Sequence, residues 1–124
     1  MLPAAARLTR REDFTTAVRR GRRASRGTVV VHVAVVHVAV VDVARGSGPT
    51  RVGFVVSRAV GGSVVRHRVQ RRLRHQMRER WDRLPVSALV VVRALPPAAT
   101  ASSATLGRDL DAALTRVLSP GRRR

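Results

Sequence analysis

One stretch of the sequence, from Ser63 to about Trp81, constrains the fold more than any other. Apolar residues recur in it at every fourth position, which is the spacing of one face of an α-helix. This pattern predicts a helix that packs one side against a sheet, with Gly61 and Gly62 in the preceding loop and Ser63 as its N-cap. The apolar positions are Val65, Val69, Leu73, Met77 and Trp81.

The side of this helix that lies opposite the apolar stripe carries basic residues. At 100° per residue, its arginines and histidines fall within an arc of about 160°. A solvated helix face normally mixes acidic and basic side chains, whereas Glu79 is the only carboxylate in this stretch. We therefore interpret the arc as a surface that binds a polyanion, most simply structured RNA. Its members are His67, Arg68, Arg71, Arg72, Arg74, His75 and Arg78.

The charge of the whole chain supports this interpretation. Its 25 basic residues are all arginine and stand against 7 acidic residues, so the formal net charge is +18. Such a charge repels itself in a compact fold and calls for a polyanionic partner. A GC-rich genome would explain arginine in place of lysine, but it would not explain the excess of bases over acids.

Length and composition also exclude several classes of protein. The 124 residues suit one domain, which we expect to span 1–124 with flexible tails at 1–6 and 119–124. The chain has no cysteine and therefore no disulfide. Its longest apolar run, Thr28 to Val41, falls short of a membrane span of roughly 20 residues. We expect a cytoplasmic, monomeric protein that does not contact a membrane.

The first half of the chain predicts one helix and two strands. A capping-box spacing at Thr9 opens a helix from Arg10 to Arg20. Valine fills Thr28 to Ala44, which predicts a strand that is either buried on both faces or interrupted by a bulge. A glycine-rich turn at 45–50 leads to a second strand from Arg51 to Ser57, and we expect these two strands to form an antiparallel hairpin.

The second half completes a small α+β domain. Ser87 to Ala94 predicts a third strand, which Pro96 and Pro97 end, and Ser102 to Leu118 predicts a last helix with a leucine-rich face. The order α-β-β-α-β-α predicts a single two-layer sandwich in which helices pack on a small sheet.

The sequence predicts neither a catalytic nor a metal site of its own. Asp109 and Asp111 are two positions apart on a helix, so their side chains do not face each other. His32 and His37 lie in the valine strand, where a structural role is expected. His67 and His75 lie on the basic arc, where contact with phosphate or ribose is the natural role.

A set of short blocks in a fixed order resembles the protein subunit of bacterial ribonuclease P. In that family a strand of the R-V-G-x-x-V-S-K kind leads through V-G-N-A-V into an R-N-R-x-K-R-x-x-R helix. The blocks cover most of residues 7–80, and the later strand and helix agree in order and length. They are RL at 7–8, EDF at 12–14, a basic glycine-containing stretch at 19–26, RVGFVVSR at 51–58, VG at 60–61 and VVRHRVQRRLR at 64–74.

Four positions depart from the family pattern. His67 replaces the asparagine between two arginines, Gln70 replaces a lysine, and Gly62 replaces the asparagine of V-G-N-A. Val18 replaces a second aromatic residue, which thins the aromatic surface of the first helix. The charge of the motif is kept by Arg66, Arg68, Arg71, Arg72 and Arg74.

The resemblance implies a division of labour between protein and RNA. A catalytic RNA, with Mg²⁺ that it mainly holds itself, removes the 5′ leader of precursor tRNA, and the protein assists. It also implies a left-handed βαβ crossover around the arginine helix, against the usual right-handed rule, as in the second domain of ribosomal protein S5. The residues expected to face the catalytic RNA are Arg58, Arg66, His67, Arg68, Arg71, Arg72, Arg74, His75 and Arg78.

The resemblance further implies a cleft for the single-stranded leader, between the sheet and the first helix. An exposed phenylalanine there would stack on any base, which suits a protein that accepts many leaders. Core packing is the alternative role of Phe14 and Phe54. The residues expected to line the cleft are Arg11, Phe14, Val18, Val31 and Phe54.

Three other functions fit parts of the sequence. A ribosomal or chaperone-like RNA-binding protein would share the charge and the order of elements, but it does not specially predict the linked strand, loop and helix. A nuclease that acts without RNA would need the carboxylate cluster that the sequence lacks. A DNA-binding protein would bind duplex DNA more tightly than folded RNA. We expect steeply salt-dependent RNA binding, and a modest pH dependence of that binding from His67.

Overall fold

A computed structural model describes residues 21–35, 50–85 and 88–119. These residues form an α+β fold, as predicted. The predicted first helix, the predicted tail at 1–6, all but Ser119 of the predicted tail at 119–124, and the chain from 36 to 49 lie outside the described residues. In chain order the elements are β1 (Arg22–Arg26), β2 (Val29–Val35), β3 (Arg51–Val55), α1 (Ser63–Arg78), a 3₁₀ turn (Trp81–Arg83), β4 (Ala88–Ala94), a second 3₁₀ turn (Pro96–Thr100) and α2 (Ser103–Leu118).

The strands form one mixed sheet in the order β1-β2-β4-β3. β4 pairs antiparallel with β2 and parallel with β3. It lies in the middle because it is almost entirely aliphatic, and all of its residues except Arg93 are buried. The predicted hairpin of β2 with β3 is therefore wrong, since β4 inserts between them. Which strand takes the central place is decided by burial across the whole sheet, and the sequence of residues 45–50 carries no information on that.

β1 is a strand that the sequence analysis did not predict, and it makes the hairpin that the sheet does contain. It pairs antiparallel with β2 through a turn at Gly27 and Thr28. Gly27 has a φ of 52°, a left-handed conformation that glycine adopts without strain. The sequence of β1 is RRASR, in which only Ala24 is buried, so its pattern lacks the hydrophobic alternation that predicts a strand.

α1 and α2 pack side by side on one face of the sheet. α1 lies beside β3, whereas α2 crosses β1 and β2. The core between these layers is aliphatic, and the predicted stripe and the predicted leucine face are confirmed as its helical side. The fully buried helical side chains are Val69, Leu73 and Met77 of α1 and Leu106, Leu110, Ala113 and Leu114 of α2, while Val65 and Trp81 are partly buried against the same core.

The ends of the helices differ slightly from the predicted ones. Gly62 is the N-cap of α1 and makes no side-chain capping bond, so the predicted capping role of Ser63 is wrong. Trp81 begins a separate 3₁₀ turn after α1 has ended. At α2 the N-cap is Ser102, whose side chain accepts a hydrogen bond from the backbone N–H of Thr105 at 3.1 Å.

β3, α1 and β4 form the predicted βαβ unit, since β3 and β4 are adjacent and parallel. This unit sets α1 at one side of the domain, next to the edge strand β3. Its left-handed sense stays a prediction from the resemblance.

Candidate RNA interface

The basic arc of α1 forms an outward surface in the structure. Its middle is exposed, because His67, Arg71, His75 and Arg78 all lie on the side away from the sheet. Its flanks are half-buried and comprise Arg68, Arg72 and Arg74, and Arg66 lies half-buried outside the arc, at the N-terminal end of α1. Arg58 is exposed in the turn that precedes α1.

One carboxylate interrupts this surface at its C-terminal end. Oε2 of Glu79 lies 3.4 Å from Nε2 of His75, one helical turn earlier. Both side chains are more than half exposed, so this contact is weak in water. α1 itself contains no acidic residue, so its arginines have no acidic neighbour within the helix.

One flank of the arc is attached to the segment that follows β4. Nη2 of Arg68 donates to the carbonyl oxygen of Ala99 at 3.2 Å, and Nη1 of Arg72 donates to that of Ala101 at 2.9 Å. Because the arginines of a helix are usually mobile at the surface, two hydrogen bonds to fixed carbonyls set this pair apart.

The other flank of the arc borders an open groove between α1 and the end of β3. The groove has a volume of about 470 Å³. Nε of Arg66 is buried there without a hydrogen-bond partner in the residues that the structure describes. The groove therefore combines an aromatic ring, a guanidinium group and amide donors. Its walls are Phe54, Val55, Val56, Ser63, Arg66, His67 and Gln70.

The residues predicted for the leader cleft are not all brought together. Val31 is fully buried in the core beneath the helices, so its side chain lines no surface. Phe54 is half-buried, packs against the same core and lines the groove beside α1. Arg11, Phe14 and Val18 lie outside the described residues, and their predicted contacts with the leader stay predictions.

His32 lies in β2, where the sequence predicted a structural role for it. It is 1% exposed, and both ring nitrogens lack a hydrogen-bond partner within 21–35, 50–85 and 88–119. Burial lowers the pKa of its imidazole, and the positive charges of Arg93 and Arg23 lower it further. The ring therefore stays neutral near pH 7. Its neighbour Val31 faces the helices, so His32 faces the other side of the sheet.

Two carboxylates hold the fold together. Asp109 accepts two hydrogen bonds from Thr28, from the backbone N–H at 3.0 Å and from the hydroxyl at 2.6 Å. Asp111 accepts from Nε and Nη2 of Arg80 at 2.6 and 3.0 Å, and from Nη1 of Arg83 at 3.1 Å. The hydrogen bond from Arg80 is the main reason that the pKa of Asp111 is lowered. Both carboxylates therefore make hydrogen bonds within the domain.

The described residues offer no site for a metal ion, since no three acidic or histidine side chains among them come close enough to hold one. None of the helices in the described ranges is long and apolar enough to cross a bilayer.

A small α+β domain with an arginine-covered helix on one side defines a class, namely a domain that docks on the phosphates of a folded nucleic acid. The comparison with known proteins identifies the family within that class. The family model described as Ribonuclease P matches residues 2–118.

Curated relatives agree over the whole chain. The ribonuclease P protein component of Streptomyces avermitilis is 58% identical over 123 residues, which cover 99% of this chain and 100% of that protein. The protein component of a Nocardioides species is 56% identical over 117 residues, which cover 94% of this chain and 95% of that protein.

Solved structures show the same fold at low sequence identity. The Staphylococcus aureus RNase P protein superposes with a TM-score of 0.74 at 20% identity, covering 90% of this chain and 94% of that one. The Thermotoga maritima protein gives a TM-score of 0.71 at 22% identity, covering 90% and 96%. The chain therefore belongs to the ribonuclease P protein-component family, whose members are subunits of a ribonucleoprotein enzyme.

Proposed function

We propose that the basic side of α1 docks this chain on the catalytic RNA of ribonuclease P. The observation that carries this proposal is the outward arginine surface of α1, which bears only one weakly held carboxylate at its end. Each phosphate that an arginine neutralises releases counterions, and arginine can also grip a phosphate with two parallel hydrogen bonds. The chemistry of cleavage then belongs to the RNA, and the protein contributes binding and charge.

The same proposal includes contact with the 5′ leader of precursor tRNA. The groove beside α1 supports it, because Phe54 offers a ring face and Arg66 and Gln70 offer hydrogen-bond donors within one open space. Stacking of a base on an aromatic ring contributes roughly 1–3 kcal/mol and tolerates any base. Arg11, Phe14 and Val18 are assigned to the leader by resemblance alone.

Mg²⁺ is held mainly by the RNA in this proposal. The described residues do not form a carboxylate cluster that would suit this ion. The arginines of α1 would instead lower the repulsion between RNA phosphates and so reduce the concentration of Mg²⁺ that the folded RNA needs. The protein acts as a monomer in the cytoplasm, where tRNA is matured.

Membership in the family favours this function over that of a ribosomal or chaperone-like RNA-binding protein. The linked strand, glycine loop and arginine helix at 51–74, which the alternative does not predict, are matched by the family model together with the rest of the fold.

The experiment that tests the proposal is single-turnover cleavage of precursor tRNA by a bacterial ribonuclease P RNA at low Mg²⁺, with and without this chain. We expect no cleavage by the protein alone and a large stimulation of the RNA. Tight, salt-dependent RNA binding without stimulation would reject the proposed function and leave a generic RNA-binding protein.

The leader contact is tested with two substrates, one that carries a leader of about ten nucleotides and one with a single-nucleotide leader. We expect Phe54→Leu to weaken binding of the long-leader substrate several-fold and to leave the short one unchanged. The matched control is Val56→Ala, a shortened neighbour in the same groove wall without a ring. Equal losses for both substrates would remove Phe54 from the leader site.

A further inference from the structure

Two arginines of the basic arc differ from the others in how they are held. Arg68 and Arg72 lie one helical turn apart, and each donates one hydrogen bond to the segment from Pro96 to Ala101. By contrast, Arg71 and Arg78 are exposed on the same helix and make no hydrogen bond to any described residue. The arc therefore contains a fixed pair and a free pair of arginines.

The segment that holds the fixed pair is itself rigid. It begins with Pro96 and Pro97, whose rings restrict the backbone. Ala98 is fully buried, and its N–H donates to the carbonyl of Leu95 at 2.8 Å. The N–H of Leu95 in turn donates to the carbonyl of Thr28 at 2.8 Å, which connects the segment to the β1–β2 turn. These contacts anchor the segment, so the carbonyls of Ala99 and Ala101 that accept from Arg68 and Arg72 have fixed positions in the domain.

The contacts leave donors available on both arginines. A guanidinium group has five N–H donors and no acceptor. Arg72 uses only Nη1, so its Nε and Nη2 edge is free to grip a phosphate with two hydrogen bonds. Arg68 uses one N–H of Nη2 and buries Nε, which leaves Nη1 and the second N–H of Nη2. Each guanidinium group therefore keeps N–H donors for a phosphate while it is hydrogen-bonded to its carbonyl.

A side chain that is already held loses less conformational entropy when it binds a ligand than a free one does. It also presents its donors in a fixed direction, so it favours phosphates that lie at a matching spacing. A free arginine adapts to any phosphate nearby and contributes mainly charge. RNA binding should therefore depend more on the guanidinium geometry of Arg68 and Arg72 than on that of Arg71 and Arg78.

We infer that α1 and the Pro96–Ala101 segment form one composite RNA-docking surface, in which Arg68 and Arg72 are pre-positioned to recognise the shape of the RNA. Arg71 and Arg78 supply charge without shape recognition. The segment itself is a positioning element that acts through the two arginines. This inference rests on the proposed docking of α1 on the catalytic RNA.

The test replaces arginine by lysine, which keeps the charge and removes the planar group. Binding to a bacterial ribonuclease P RNA is measured over a salt series for Arg68→Lys, Arg72→Lys and the matched controls Arg71→Lys and Arg78→Lys. We expect about tenfold weaker binding for each fixed arginine and at most about twofold for each control. The slope of affinity against salt should be unchanged in all four.

A second set of variants tests the segment. Pro97→Gly loosens it without changing a charge, and Pro97 is exposed. We expect weaker RNA binding in Pro97→Gly, no further loss when Arg68→Lys is added, and full additivity with Arg71→Lys. NMR of the arginine side-chain N–H groups gives a direct readout, since rotation about the guanidinium of Arg68 and Arg72 should be slow in the native protein and fast in Pro97→Gly. Thermal unfolding checks that each variant is folded at the binding temperature.

The outcomes separate the inference from the function on which it rests. The proposed function would be rejected if the wild-type protein did not bind the RNA, or if its affinity did not fall steeply with increasing salt. Normal wild-type binding with equal losses in all four lysine variants would overturn the inference alone. Additivity of Pro97→Gly with Arg68→Lys would also overturn it, because the segment would then act independently of the arginine.

Discussion

α1 and α2 have the same length and lie side by side on the same face of the sheet, yet their outward sides carry different side chains. Both contain 16 residues and bury a stripe of large aliphatic side chains in one core. α1 turns arginines towards solvent. α2 carries Asp109 and Asp111, and each of these carboxylates is bound to another part of the domain.

In a chain with a net charge of +18, the two helices differ in how their charges are paired. Arg80 and Arg83, which follow α1, are both paired with Asp111 of α2. The arginines of α1 itself make no ion pair with an acidic residue that the structure describes. Among the described residues, Asp109 and Asp111 thus lie at internal contacts of the domain and not among the arginines of α1.

The largest expected effect concerns the buried sides, in which the two helices are alike. Leu73 and Leu110 are both fully buried. Leu73→Ala and Leu110→Ala should each lower the free energy of unfolding by about 2–5 kcal/mol, because each creates a cavity in the shared core. Urea unfolding measures this, and a loss below 1 kcal/mol in only one of them would mean that the two helices do not share a core.

The next effect concerns the contact of α2 with the β1–β2 turn. Asp109→Ala leaves the buried Thr28 with an unpaired N–H and hydroxyl. We expect a loss of about 1–3 kcal/mol in the free energy of unfolding, with RNA affinity unchanged within twofold. Asp82→Ala, at an exposed acid, is the control and should change little. RNA affinity that changes in parallel with stability would place α2 in the interface.

Asp111→Asn tests the ion pair between the helices. The side chain of Asp111 is half exposed, so solvent screening reduces the expected loss of stability to about 1 kcal/mol. The pKa of Asp111 is lowered in the folded chain, chiefly by the hydrogen bond from Arg80. The contribution should therefore be complete above the ordinary value of 3.8 and disappear as pH falls through the lower folded pKa. Urea unfolding of the wild type and Asp111→Asn at pH 7 and pH 3 checks this. A difference in the free energy of unfolding that is as large at pH 3 as at pH 7 would contradict it.

The smallest effect extends the comparison to the other side of the sheet. Burial, Arg93 and Arg23 lower the pKa of His32 below 6.5. The unfolded chain therefore takes up a proton first as pH falls, and folding loses stability between pH 6.5 and the lower folded pKa. We expect a loss of up to about 1 kcal/mol between pH 7.5 and 5.5, since one pH unit corresponds to about 1.4 kcal/mol. His32→Leu should reduce this pH dependence, and an unchanged dependence would exclude His32 as its source.

Local patterns in the sequence predicted the elements better than their arrangement. The four-residue spacing in α1 and the leucines of α2 are periodic signals, and both helices were predicted to within three residues at each end. β1 was missed because its exposed arginines conceal a single buried alanine. The partners of β2 were wrong because strand order depends on which strand is buried on both faces, a property of the assembled sheet.

The candidate site, too, could be predicted from the sequence only where it depends on local pattern. The grouping of the arginines on one side of α1 follows from helical geometry and needs no structure. The carbonyls that hold Arg68 and Arg72 come from about 30 residues further along the chain, and backbone carbonyls carry no sequence signal. Val31 was assigned to a surface although its side chain is buried in the core, because a strand of consecutive valines does not reveal which residues face the helices.

The central claim, that the outward side of α1 and not that of α2 docks on RNA, is tested most directly by the salt dependence of binding to the catalytic RNA. Two double variants each lose two positive charges. One combines Arg71→Gln with Arg78→Gln on α1, the other combines Arg108→Gln with Arg116→Gln on α2, and all four arginines are exposed. We predict that the α1 pair lowers the salt slope by about 1.5 and weakens binding strongly, while the α2 pair leaves the slope unchanged. Equal reductions of the slope in both pairs would contradict the claim, because binding would then depend on net charge and not on the surface of α1.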